Sequence, residues 1–150
     1  MGARPRMDAS GIAPAVGSSA MWNGNLFRAL IAYATLQRSF YLESPKLYRE
    51  HYPYTGGNTY SYLWPFSHAL AASAHLAEHP KTAARYDREI SDRLDGLEAY
   101  WNSSLDPPAY DSYVRPPLGY GGDRYYDDNV WIGLDLLRVY RLTGDTAALN

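Results

Sequence analysis

Pro65-Phe66-Ser67-His68-Ala69-Leu70-Ala71-Ala72-Ser73-Ala74-His75-Leu76-Ala77-Glu78, closed by His79-Pro80, is the stretch on which the fold turns. Proline suits the first turn of a helix, and almost everything after it is apolar or small. A helix that is apolar nearly all round presents no face to water, so it must be covered by neighbours. The next segment, residues 82–101, is its opposite. Ala83, Tyr86, Ile90, Leu94, Leu97 and Trp101 recur by threes and fours while charges fill the other faces, the pattern of a surface helix. The same pairing frames these two. Upstream, residues 20–42 form an amphipathic helix with Trp22, Leu26, Leu30 and Tyr33 on one face, Ser18 or Ser19 as N-cap, and Ser44-Pro45 as its stop. Downstream, residues 127–142 are again mostly apolar, relieved by Asp135, Arg138 and Arg141, with Gly144 as the C-terminal stop. Asp145 reads as the N-cap of a further helix. The order is amphipathic, buried, amphipathic, buried, with no competing strand pattern. The fold class is all-α, with outer and inner helices alternating.

The connections alternate too. About twenty residues precede the first buried helix and about twenty-five the second, whereas only two or three follow each, and loops beyond about 12–15 residues are uncommon unless functional. Antiparallel neighbours joined in this way carry both long loops to one end, beside the N-termini of both buried helices and their positive dipoles. Those loops hold the tyrosines. Of fifteen Tyr, against three Phe, five lie between Tyr48 and Tyr62 and five between Tyr110 and Tyr126. Tyrosine is favoured where one end of a ring stays wet, so two aromatic, solvated loops are expected to share one mouth. The arrangement is an α/α toroid in miniature.

Composition narrows the function. With 46% hydrophobic and 20% charged residues the chain is that of a folded protein, and 150 residues bury a real core. A net charge of −2 makes nucleic acid a poor partner. No run of about 18 apolar residues spans a membrane. The absence of cysteine removes disulfides, zinc ribbons and thiol nucleophiles. Residues 1–18 read as a loose N-terminal arm and 19–150 as the helical domain. Arg4 and Arg6 resemble a signal-peptide start, but no apolar run of about 7–15 residues follows. The compartment stays open: cytoplasmic, or secreted with a missing or altered N-terminus.

The chemistry concentrates at Tyr125-Tyr126-Asp127-Asp128-Asn129-Val130-Trp131, where the second loop enters the fourth helix. Two adjacent carboxyls flanked by aromatics suit glycoside cleavage, in which one protonates the leaving oxygen and the other attacks carbon or activates water. Mutual repulsion and burial retain a proton on one of them, while the helix N-terminus favours both charges. The plainer reading is an N-cap, for which Asp-Asp-Asn supplies three candidates.

The run Tyr125 to Trp131, followed by Leu142-Thr143-Gly144-Asp145, resembles the signature of glycoside hydrolase family 76. Tyr62-Leu63-Trp64-Pro65-Phe66 is similar to the family's preceding inner-helix entrance. The resemblance implies an (α/α)6 toroid and a retaining endo-α-1,6-mannanase, with Asp127 as nucleophile and Asp128 as acid/base. It implies Trp64, Tyr120, Tyr125, Tyr126 and Asn129 as substrate contacts, a mannan-type polysaccharide as partner, and neither cofactor nor metal. Ile132 stands where the family often has a second aromatic. Four helices and the start of a fifth are only the N-terminal part of such a ring, so this chain alone is expected to expose a large apolar surface and to be inactive or aggregation-prone. No obligate protein partner is implied.

Other residues have plainer readings. His75 and His79 share a helix face at metal-compatible spacing but lack a third ligand, and read as a helix-end pair. His68 reads as a core histidine and Trp131 as core, while Trp64 either stacks on a sugar or plugs the core. Gly119-Tyr120-Gly121-Gly122 lacks the Lys and preceding strand of a phosphate loop. Asp135, Arg138 and Arg141 read as a solvated or inter-helix stripe. Two other functions fit a helical toroid or its loops. A sugar epimerase or polysaccharide lyase would centre its mouth on a histidine such as His68. A non-catalytic carbohydrate-binding module would use the tyrosine loops alone.

Overall fold

In a computed structural model residues 16–149 are described, and the chain is mostly helical with a few short strands. Its internal contacts divide it after Thr35. The first helix, α1 (Val16–Phe40), is already helical at Val16, so Ser18 and Ser19 lie within it rather than capping it. The expected arm falls, through residue 15, outside the described residues. Within the first unit the Thr35 hydroxyl donates back to the Ile31 carbonyl at 2.9 Å.

The second unit, from Leu36 onward, is built from one repeated plan. A helix ends in a tiny hairpin, a long loop follows, and a second helix starts from that loop. In the first copy, β1 (Tyr41–Leu42) pairs antiparallel with β2 (Leu47–Tyr48), and the loop leads to α2 (Leu63–Glu78). In the second, α3 (Ala83–Leu97) tightens into a 3-10 turn at Glu98–Tyr100. Strands β3 (Trp101–Asn102) and β4 (Ala109–Tyr110) follow, and the loop leads to α4 (Tyr126–Thr143). The sequence pattern had continued α3 to Trp101 and held no strands. Two-residue strands are too short for alternation to register. Gly144, at φ 71°, ends α4 with its N–H donating to Tyr140. Beyond it the Asp145 carboxylate accepts the Ala147 N–H at 2.9 Å, capping a short 3-10 turn at Thr146–Leu149.

Helix α2 packs on α3 along one side and on α4 along another. The core lies around its first half: Leu47, Tyr48, Leu63, Phe66, Ala69, Leu97, Tyr100, Tyr113, Val114 and Ile132. Phe66 meets the rings of Tyr48 at 5.9 Å and Tyr100 at 5.2 Å. Tyr48 and Tyr113, expected to be wet, are therefore core together with Tyr100, and each hydroxyl is hydrogen-bonded. Tyr100 donates to the Ser61 carbonyl at 2.8 Å, and Tyr113 accepts the Tyr60 N–H at 3.3 Å. Hydroxyls bonded in this way let polar rings fill a core.

The fourth helix shows the exposed apolar surface expected of this chain. It buries only Asp128, Ile132, Asp135 and Val139, leaving Val130, Trp131, Leu134, Leu137 and Tyr140 exposed. Its sequence is that of a covered helix, yet one face of it meets solvent in this chain. Trp131, read as core, is 47% exposed. Among the described residues no helix is long and apolar enough to cross a membrane.

Candidate functional site

Contacts along α2 and α4 set the geometry of the mouth. His68 meets the Trp131 ring edge-on at 6.0 Å, and His75 lies 2.7 Å from the Arg138 guanidinium. Advancing seven residues on either helix advances seven on the other, so the two run parallel and start at the same end. Their long loops meet there. Leu63 donates its N–H to the Ser112 carbonyl at 2.9 Å, and Tyr62 lies against Tyr113, centroids 5.3 Å apart. The sequence expectation of two tyrosine loops sharing one end agrees with this.

Asp127 and Asp128 occupy the first turn of α4, which has no side-chain cap. Tyr125 holds the N-cap position with extended backbone (φ −95°, ψ 136°), so the plainer N-cap reading of the Asp-Asp-Asn run fails. The two carboxyls differ in surroundings: Asp127 is exposed and Asp128 is buried. Burial, and then the adjacent Asp127 charge, push the Asp128 carboxyl above the ordinary carboxylate value.

Asn129 is bonded to the backbone on both sides of its amide. Its Oδ1 accepts the Tyr110 N–H at 2.9 Å, and its Nδ2 donates to the carbonyls of Tyr110 and Tyr125, both at 3.0 Å. With its amide occupied on both sides, Asn129 ties β4 to the start of α4 and so positions the acidic pair. The base of the second loop is clamped similarly. Buried Asp111 accepts two bonds from Asn102 Nδ2, at 3.0 and 3.1 Å, and pairs with Arg115 at 3.3 Å.

Exposed aromatic side chains lie on both helices near this end. Trp64 is 52% exposed, so of its two readings the core plug fails. His68, read as core, is also exposed, because no element among the described residues covers that stripe of α2. It sits edge-on between two indoles, 5.0 Å from Trp64 and 6.0 Å from Trp131. Trp131 lies one turn beyond Asp127, so the row Trp64–His68–Trp131 leads to the carboxylates. Tyr125 and Tyr126 are exposed at the entrance, and Tyr120 is exposed on the second loop. Ile132 is fully buried in the core and is not among these exposed residues. The sequence favoured a core place for His68 over one at the mouth, although its spacing of four from Trp64 is a helical-face signal.

Deeper between the helices, Asp135 is buried with Arg138 at 4.0 Å, and Arg138 also reaches Glu78 at 3.2 Å. Burial raises the Asp135 carboxyl, opposed by Arg138, His68 and His75. The expected polar stripe is therefore an inter-helix seam at Asp135 and Arg138, with only Arg141 exposed. His75 belongs to the same seam, 3.4 Å from Glu78. Among the described residues no three potential metal ligands gather.

The raised Asp128 carboxyl has a thermodynamic consequence. A group whose folded value lies above its unfolded one favours folding while protonated, and that contribution fades as pH rises through the folded value. Above that folded value, ionised Asp128 therefore works against the fold. Asp128→Asn is expected to melt above the wild type at pH 7, with the gap closing below about pH 4. Thermal melts at the two pH values check this, and an equal or lower midpoint at pH 7 contradicts it.

Parallel helices with adjacent aspartates and exposed aromatic rings near their common start define the class: a mostly helical protein with a paired-carboxylate candidate site. Within that class the chain is glycoside hydrolase family 76-like. It is similar to a family 76 glycoside hydrolase (mannosidase) from Bacteroides thetaiotaomicron VPI-5482, with 26% identity and a TM-score of 0.64 over 81% of this chain and 33% of that one. It is also similar to a family 76 glycoside hydrolase from a bovine Bacteroides thetaiotaomicron strain, with 26% identity and a TM-score of 0.63 over 83% and 27%. The chain thus spans about a third or less of the length of the structures it matches. No family model and no curated protein matches the sequence.

Proposed function

We propose that these residues form part of a glycoside hydrolase that cleaves α-1,6-mannosidic linkages in mannan-type polysaccharide with retention of configuration. The observation that carries the reading is the unequal pair at the start of α4: Asp127 exposed, Asp128 buried and inclined to hold its proton. Retaining chemistry needs this inequality. Asp128 gives its proton to the glycosidic oxygen while an Asp127 oxygen bonds to the anomeric carbon, and the linkage breaks. Asp128, now ionised, takes a proton from water as that water attacks the same carbon and frees Asp127. No cofactor or metal enters. Trp64, Tyr125 and Tyr126 flank the bound sugars, and Tyr120 contacts the polymer from the second loop.

The architecture in this reading is an (α/α)6 toroid, of which residues 19–150 are the N-terminal part. Support comes from the exposed apolar face of α4 and from the share of the family 76 structures that this chain covers. In the 150-residue chain that face is uncovered, so the chain alone is expected to bind sugar without turning it over.

A different observation favours an epimerase or lyase: His68 is exposed at the mouth between two indoles. One experiment separates the readings. The longest reading frame that carries these residues is incubated with an α-1,6-mannotetraose, and products are followed by mass and by NMR of the anomeric proton. Hydrolysis with retention gives shorter sugars that gain water and appear first as the α-anomer. Unsaturated ends would indicate a lyase, and unchanged length with altered stereochemistry an epimerase. First release of the β-anomer would overturn the retaining mechanism.

A further inference from the structure

Tyr120 is 67% exposed, yet the turn that carries it is held tightly. The Arg115 carbonyl accepts the N–H groups of Leu118 and Gly119 at 3.0 and 3.2 Å, and the Val114 carbonyl accepts that of Gly121 at 2.9 Å. Glycine is required on both sides of the ring. A Cβ at Gly119 would lie 2.5 Å from the Val114 carbonyl oxygen, and Gly121 has φ +72°. Beneath the ring lies Tyr113, 3% exposed, stacked at 4.6 Å with 25° between the planes. The Tyr120 hydroxyl lies 3.5 Å from the Tyr62 hydroxyl and 3.5 Å from Asn58 Oδ1, both at the limit of hydrogen bonding.

Tyr113 already closes the core at this point, so packing does not account for the outer ring. What the turn presents is a flat apolar face, backed by a second ring and edged by two hydroxyls and a primary amide. That combination fits one face of a pyranose, whose C–H groups stack on an aromatic plane while its hydroxyls reach polar groups at the edge. Long, loosely made bonds to Tyr62 and Asn58 are readily exchanged for bonds to a ligand hydroxyl. The ring is also pre-positioned, so little ordering entropy is lost on binding.

We propose that Tyr120, Tyr62 and Asn58 form a separate sugar subsite on the loop seam, holding a unit of the polymer other than the one cleaved at Asp127 and Asp128. Tyr62 immediately precedes α2, and the exposed rings of Trp64, His68 and Trp131 continue from there toward the acidic pair. Sugar units on this row and on Tyr120 belong to one strand, so the site grips an oligosaccharide rather than a single sugar. This inference rests on the carbohydrate reading above.

The test is calorimetric titration of the 150-residue chain with α-1,6-mannobiose and α-1,6-mannotetraose. Wild type is expected to bind the tetraose at least about tenfold more tightly than the biose, and Tyr120→Ala to remove most of that advantage. Tyr120→Phe, which keeps the ring, is expected to retain most of it, and Asn58→Ala to lose part. Tetraose affinity unchanged in Tyr120→Ala overturns the subsite and leaves the carbohydrate reading standing. No binding of either sugar by wild type overturns the carbohydrate reading and the subsite with it. Matching circular-dichroism melts establish that the variants are folded.

Discussion

Asp128→Asn is expected to lower turnover of an unactivated α-1,6-mannan oligosaccharide by about 10²–10⁴-fold, the usual worth of a positioned acid. Asp127→Asn is expected to lower it at least as far, because no covalent intermediate then forms. Leaving-group chemistry separates the two roles. An aryl mannoside with an acidic phenol departs without protonation, so the Asp128→Asn enzyme should regain most of its first step with such a substrate. Asp127→Asn should not. The surroundings of the pair motivate this assignment: Asp128 is buried and raised by burial and by its neighbour, whereas Asp127 is exposed. Initial rates on both substrates for wild type and both variants decide the matter. Rescue of Asp127→Asn rather than Asp128→Asn would exchange the roles, and wild-type rates in both would remove the pair from the chemistry.

How far the sequence could be read depended on whether burial follows a period. Helix α3 was legible because a 3.6-residue repeat survives in a helix that packs on one side, and α2 and α4 because long apolar runs carry helix start and stop residues. Long loops have no such repeat. Tyr113 and Tyr120, seven residues apart in one loop, end as core and as surface, and nothing in their local sequence distinguishes them. The exposures of Trp64, His68 and Trp131 were illegible for another reason: a side chain's covering depends on which elements lie beside it. An apolar helix signals a need for neighbours without saying how many the chain itself supplies. The backbone bonds of Asn129 to Tyr110 were also illegible, because the partner strand lies nineteen residues upstream. Arg93 passed unnoticed among the charges of α3. Its place in the buried series Tyr86, Ile90, Arg93, Leu97 was the available signal.

That arginine leads to the second large effect. Arg93 has no exposed surface, and it donates to the Tyr48 hydroxyl and, at 3.2 Å, to Gln37 Oε1. Its guanidinium carbon lies 3.9 Å from the centre of the Tyr41 ring and 5.0 Å from that of Tyr48. Among the described residues no carboxylate pairs with it, so aromatic faces and neutral oxygens offset the cost of burying the charge. Desolvation of such an ion costs several kcal/mol, against about 2 kcal/mol for a desolvated cation–π contact and about 1.5–3 kcal/mol for each charge-assisted hydrogen bond. The charge therefore comes near to breaking even, and the volume it fills decides the outcome. Arg93→Ala opens a cavity beneath Tyr41 and Tyr48 and is expected to cost about 3–5 kcal/mol. Because Tyr48 also packs on Phe66, the loss reaches the core beside α2. Arg93→Met refills most of the space without a buried charge, so it is expected to cost under about half as much, leaving Tyr48 and Gln37 with one bond fewer each. Urea denaturation of the three proteins measures both differences. A Met variant as unstable as the Ala variant would show that the charge, rather than the packing, holds α3 against the hairpin.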